Sequence, residues 1–168
     1  IMKLASQFNI PVISFVDTPG AYPGIGAEER GQAQAIAENL EDMFGIKVPI
    51  VALVIGEGGS GGALGIAIAD RVHMMKYSVY SVISPESCAS ILWSDPTRAE
   101  FAANSLKLDP EQAKKLRVID SIVKEPEGGA HRNPEAAAKS LGDQIEKDLK
   151  KLKALSVDEL LEQRFQKF

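Results

Sequence analysis

Apolar positions along this chain follow two periods. Short runs rich in Val and Ile recur at residues 11–16, 48–55, 72–75, 77–83 and 118–123. Each has the length and β-branched content of a buried strand. Between them the pattern is helical. Residues 1–8 read as the late turns of a helix ending near Asn9, and a longer helix is predicted from about Ala27 to Phe44, with Glu28 and Glu29 suited to its first turn. A small-residue helix follows the glycine-rich stretch and runs to about Asp70. Residues 17–26, with two prolines and three glycines, cannot hold a regular element and read as a loop. Strands alternating with helices predict an α/β layered domain.

The second half is punctuated by helix starts of one kind. Ser84-Pro85-Glu86, Asp95-Pro96, Asp109-Pro110-Glu111 and Asn133-Pro134-Glu135 each offer a side-chain oxygen as N-cap, followed by a proline whose missing N–H costs nothing there. From Pro134 the chain reads as long, charged helix, interrupted near Ser156, where Ser156 and Glu159 form a capping box. Leu141, Ile145, Leu149, Leu152 and Leu155 fall on one side of it, a stripe expected to pack on something, a neighbouring subunit among the candidates.

Bulk properties narrow the classes. A chain of 168 residues with 45% hydrophobic content supports one domain with a real core, and a net charge of −4 leaves no electrostatic footprint for nucleic acid. No apolar stretch reaches transmembrane length. The single Cys88 excludes an internal disulfide framework and reads as a small buried side chain. The chain opens at Ile1 within a helical pattern, so it is expected to be part of a longer protein.

Candidate chemistry concentrates after the second strand. Residues 56–65 include six glycines, and a strand, a glycine turn and a helix start in succession make a plausible anion or oxyanion site. Three other motifs fit the same letters. Gly56, Gly58 and Gly61 match G-x-G-x-x-G, but no acidic residue stands at a strand end about twenty positions on. Gly58, Ser60 and Gly62 match the nucleophile elbow, with Asp120 and His131 as partners in the right order, though Asp120 lies in an apolar strand and His131 in a glycine-rich loop. His73 reads as a packed residue. The third is a tight turn without a ligand. The preferred reading is an oxyanion site made of backbone N–H groups.

Several long motifs then occur in one order: residues 17–24 (DTPGAYPG), 27–32 (AEERGQ), 54–64 (VIGEGGSGGAL), 80–86 (YSVISPE), 91–93 (ILW), Glu125-Pro126 and 128–131 (GGAH). Together they closely resemble the carboxyltransferase α subunit of bacterial-type acetyl-coenzyme A carboxylase, over what corresponds to its C-terminal half to two-thirds. The resemblance implies a crotonase-like (ClpP/crotonase) superhelix of ββα units with C-terminal helices. Residues 1–133 are then carboxyltransferase core and 134–168 a helical extension of the same domain. It implies transfer of a carboxyl group from carboxybiotin, held on a separate biotin carboxyl carrier protein, to acetyl-CoA, giving malonyl-CoA for fatty acid synthesis. Implied partners are the carboxyltransferase β subunit, the carrier and biotin carboxylase, in an α2β2 hetero-oligomer of the cytoplasm or the plastid stroma. Zinc is not expected on this chain, which has no C-x-x-C pair.

The same resemblance implies residue roles. Gly61 and Gly62 N–H groups hold the carboxybiotin carbonyl, while Gly58, Gly59 and Ser60 shape the approach. Gly20, Ala21 and Tyr22 form the cleft wall, and the thioester oxygen is held by the β subunit. Glu28, Glu29 and Arg30 are helix-start charges first, and residues 80–86 are scaffold. Two alternatives remain at this point: a non-catalytic domain binding acyl-CoA or biotin, and a crotonase-like serine peptidase using Ser60.

Overall fold

Val51, Ala52, Leu53 and Val54 have no exposed surface, and the sheet is built outward from them. The computed structural model describes residues 1–168. In chain order the elements are α1 (Met2–Gln7), β1 (Val12–Thr18), α2 (Ile25–Glu29), α3 (Gln32–Gly45), β2 (Ile50–Gly59), α4 (Ser60–Ala67), β3 (Arg71–Met75), β4 (Val79–Ser81), α5 (Pro85–Trp93), α6 (Ala99–Leu106), α7 (Pro110–Lys115), β5 (Ser121–Val123), α8 (Pro134–Leu152) and α9 (Val157–Lys167). Every strand pairing is parallel, in the order β1-β2-β3-β5, with β4 beside the far end of β2. The first half of β2 therefore pairs with β3, and its last residues, Glu57 to Gly59, pair with β4.

A parallel sheet needs cover on both faces, and strand alternation supplies two apolar faces. Ile50, Ala52, Val54, Val16, Val72 and Met74 turn one way, against Met43 of α3, Ala63 and Ala67 of α4 and Ala113 of α7. Val51, Leu53, Met75 and Val123 turn the other way, against Ala137 and Leu152 of α8 and Leu160 of α9, with Leu141, Ile145, Leu149 and Leu155 packed alongside. The leucine stripe thus packs on this chain's own sheet, with Leu152 fully buried and the other four partly so.

Local capping chemistry is realised at each site the sequence marks. Ser84 accepts from the Ser87 N–H at 3.2 Å, Asp95 from Thr97 at 3.0 Å, Asp109 from Gln112 at 2.9 Å and Asn133 from Ala136 at 3.0 Å. Asp95 opens a single 3-10 turn (Pro96–Arg98) rather than an α-helix. Both halves of the Ser156–Glu159 capping box form.

Several boundaries differ from the sequence pattern: the strand expected over 77–83 holds only Val79–Ser81, and the helix expected to reach Asp70 ends at Ala67. The helix expected over 27–44 is two helices, because Gly31 takes φ 76° and turns the chain between α2 and α3. Strand β2 continues through Gly59, so Gly56 to Gly59 are extended rather than a turn. Strand β5 begins only at Ser121, and Asp120 stands before it, accepting the Val72 N–H at 2.6 Å and pairing with the Lys167 ammonium.

Two buried polar groups tie the C-terminal helices down. Arg164 of α9 is 1% exposed and directs its guanidinium at both Asp70 carboxylate oxygens, at 2.8 and 2.9 Å. It also donates to the carbonyls of Met43, Ile46 and Val48 at 2.9, 2.6 and 3.0 Å, at and just beyond the end of α3. The second group is His73, whose Nε2 lies 2.7 Å from Asp148 and whose Nδ1 lies 2.8 Å from the Ser121 hydroxyl. Because a carboxylate only accepts, the proton sits on Nε2 and Ser121 donates to Nδ1. Gln144 completes the shell of Asp148 at 2.6 Å.

Burial lowers the His73 pKa below its usual 6.5, against the opposing pull of Asp148 and Asp120 and with the Lys167 charge adding to the lowering. The folded chain then holds His73 neutral where the unfolded chain protonates it. Stability from this source is complete above about pH 6.5 and is lost as pH falls through the lower folded-state value. Melting temperatures measured from about pH 7.5 down to about 5 should fall below pH 6.5. His73→Gln should flatten that limb, and an unchanged limb would contradict the assignment.

Candidate functional site

Strand β2 passes into α4 with no loop between them. Gly59 is extended (φ −104°, ψ 126°) and serves as N-cap, while Ser60 is already helical by position but has φ 51°. No side chain caps this helix. Its first N–H groups, at Ser60, Gly61 and Gly62, precede the first intrahelical hydrogen bond, and the helix dipole adds partial positive charge there.

What surrounds the junction explains most of its glycines. A β-carbon at Gly59 would collide with the Pro19 carbonyl, and one at Gly62 would stand 2.6 Å from the Ala21 nitrogen and 2.7 Å from the Gly20 carbonyl carbon. The loop after β1 is therefore laid backbone against backbone on the junction, with Gly20 itself at φ 146°. At Gly56 the obstacle is the Asp17 carboxylate, which accepts the Glu57 N–H at 3.0 Å across an irregularity in the β1–β2 register. At Gly58 it is the Tyr80 ring, 2.8 Å from the added carbon. Gly61 differs: the nearest atom to an added carbon is Ile36 Cδ1, at 3.9 Å. Glycine density here answers chiefly to the chain packing on itself, and Gly61 alone in the junction would accept a β-carbon with no more than ordinary contact.

The candidate residues fall into three clefts. Gly58, Gly59 and Ser60 line one of about 300 Å³, together with Glu57, Ser84 and Glu86. Ser60 and Gly61 line a more apolar one of about 340 Å³, walled by Leu64, Tyr80, Val82 and Val118. These two meet at Ser60 and Ser81. Gly20, Ala21, Tyr22 and Gly62 line a third, of about 470 Å³, on the other flank of α4 with Gln32 and Asn39. Tyr22 is 73% exposed and stands over Gly24. The fold thus brings Gly58 to Gly61 to one place and sets the wall residues 20–22 beside Gly62, not across the same cleft.

No histidine lines any of the three clefts. Asp120 is taken by Lys167 and the Val72 N–H, and His73 is spent on Asp148 and Ser121. Neither stands as base beside Ser60, and His131, in the 3-10 turn Ala130–Arg132, also lies outside the clefts. Sequence reasoning missed Asp17 as the brace of Gly56 and Tyr80 as the wall on Gly58. Tyr80 is buried enough that its phenol pKa is raised. Its place on a strand beside the end of β2 was a signal that only the sheet order could decode.

A parallel sheet whose central strand feeds a helix start directly, with that start left uncapped at the mouth of paired clefts, is crotonase-fold architecture of the kind found in carboxyltransferases. Transcarboxylase 12S, solved with hydrolysed methylmalonyl-coenzyme A bound, superposes with a TM-score of 0.66 over 73% of this chain and 25% of that chain, at 24% identity. A Pseudomonas malonate decarboxylase hetero-tetramer in complex with coenzyme A gives 0.67 over 84% of this chain and 62% of its own, at 16% identity.

The family described as acetyl co-enzyme A carboxylase carboxyltransferase-like matches residues 1–168, and the chain belongs to it. The acetyl-coenzyme A carboxylase carboxyl transferase subunit alpha of Geobacter metallireducens is 61% identical over 168 residues, all of this chain and 53% of that protein. The subunit of the same name from Cronobacter sakazakii is 56% identical over 167 residues, 99% of this chain and 52% of that protein. The chain spans about half the length of these curated relatives.

Proposed function

We propose that this chain carries the carboxybiotin-facing part of an acetyl-CoA carboxylase carboxyltransferase α subunit, and that Gly61 and Gly62 N–H groups are its oxyanion donors. The observation that carries the reading is the uncapped start of α4, with Gly61 lining a cleft, in a chain of this family. A donor set made only of N–H groups and a hydroxyl fits the urea oxygen of biotin, which gains negative charge as its carboxyl group leaves. When bound, carboxybiotin supplies the activated carboxyl group.

The chain's own part is electrostatic. Donors fixed at a helix start need no reorganisation when charge develops, and one such donor is typically worth about 3–4 kcal/mol in the transition state. Backbone packing of residues 19–21 on Gly59 and Gly62 holds them in place. Gly58, Gly59 and Ser60 guide the approach, and Gly20, Ala21 and Tyr22 brace the far side of α4. The thioester oxygen of acetyl-CoA is assigned to the β subunit. Carrier protein and biotin carboxylase complete the assembly, read as α2β2 for the transferase pair and cytoplasmic. No helix is long and apolar enough to cross a membrane.

The test uses the full-length α subunit with its β subunit, a carboxylated biotin donor and acetyl-CoA. Malonyl-CoA should form only when both subunits are present. Formation at an equal rate without this subunit would reject a catalytic role and leave a non-catalytic binding domain.

A further inference from the structure

We propose that Ser60 is a substrate-contacting residue whose hydroxyl is a third donor beside the Gly61 and Gly62 N–H groups. The proposal rests on the functional reading above and assigns a role within that same site. It starts from a misplacement of residue types. Of the five residues 58–62, four are glycine, and none of those four has positive φ. The position that does, at φ 51°, is serine. Glycine adopts that conformation freely, whereas an L side chain is strained in it. Glycine thus stands at every neighbouring position and is missing from the one whose backbone asks for it.

Helix capping does not account for the side chain. Gly59 is the N-cap of α4, Ser60 is the residue after it, and no side-chain cap bond is made. Packing does not account for it either, since Ser60 is exposed. Its location is specific: Ser60 and Ser81 are the two residues shared by the clefts that meet at the start of α4. The Ser81 hydroxyl is spent on the Ile83 carbonyl at 2.7 Å, whereas Ser60 carries the only side-chain hydroxyl on the first turn of α4. A hydroxyl donates one hydrogen bond and rotates to suit, so it complements two fixed N–H donors around an oxygen with several lone pairs. The ligand chemistry it suits is an anionic urea or carboxylate oxygen. Catalysis through such donors needs no base, consistent with clefts that hold no histidine.

Ser60→Gly separates the side chain from the backbone strain. In the full-length αβ enzyme it should keep or raise the melting temperature while lowering kcat by roughly ten- to a hundredfold. KM for acetyl-CoA, which the partner subunit is assigned to hold, should stay unchanged. Ser60→Ala should lose as much kcat without the gain in melting temperature. Wild-type kcat in Ser60→Gly would overturn the proposal, as would a melting temperature lower than that of Ser60→Ala. Failure of the unaltered enzyme to make malonyl-CoA would instead overturn the functional reading.

Discussion

Gly61→Pro in the full-length enzyme is expected to lower carboxyl transfer by about a hundredfold or more, about 3 kcal/mol, while leaving the chain folded. Proline deletes the N–H without demanding a new helix geometry, because the first turn of a helix has no internal partner for that group. Gly61 is the second residue of α4, within that turn. Proline also favours an extended residue before it, which Ser60 at φ 51° is not, so the melting curve is read beside the activity. Space is available, with the nearest atom to an added β-carbon at 3.9 Å. Gly61→Ala is the matched control: it fills the same space but keeps the donor. Malonyl-CoA formation and a far-ultraviolet melting curve decide between outcomes. If Gly61→Pro works at the rate of Gly61→Ala, this amide is not a donor. Gly62 cannot give so clean an answer, because any side chain there drives into the Gly20–Ala21 backbone.

Arg164→Met is expected to be the most damaging single change to stability. Breaking a buried ion pair by removing one partner costs about 3–5 kcal/mol, because the remaining charge is left without compensation. Here the orphan would be Asp70, 3% exposed, which would keep only the Ile50 N–H and the edge of its former cage. The carbonyls of Met43, Ile46 and Val48 would lose their donor as well. At roughly 2–4 °C per kcal/mol for a chain of this size, the melting temperature should drop by roughly 6–20 °C. Arg164→Lys should recover only part of the loss, since an ammonium cannot reach both carboxylate oxygens and three carbonyls together. A shift below about 2 °C for Arg164→Met would show that the cluster relaxes around the gap.

Features of the fold that depend on neighbours in sequence were legible from the letters. The Ser-Pro, Asp-Pro and Asn-Pro starts and the Ser156 capping box are decided within four residues, and each cap bond forms. The strands announced themselves by Val and Ile content. Features set by distant partners were not legible. Glycine has little preference for strand, so the extension of β2 to Gly59 is dictated by pairing of Gly58 with Thr18 and Tyr80 and of Gly59 with Ser81, far off in sequence. Arg164 sits in a charged helix that reads as a solvated face, and only the fold shows that its turn faces the end of α3. The leucine stripe of α8 signalled burial without naming the surface, which proved to be this chain's own sheet.

The candidate site divides the same way. Its location could be read, because a Val-Ile run ending in glycines is unusual. The duties of its glycines could not. Gly56, Gly58, Gly59 and Gly62 look alike in sequence and are distinguished only by what presses on them: a carboxylate, a phenol ring and two stretches of backbone.

The long reach of Arg164 also sets an order of events at the ribosome. Its partners, the carbonyls of Met43, Ile46 and Val48, are made well over a hundred residues earlier, and they wait without their donor until α9 emerges. A nascent chain can pair its strands early, but the end of α3 lacks these three hydrogen bonds until then. Translation halted short of that arginine would release a half-closed intermediate, open to proteases and to other chains.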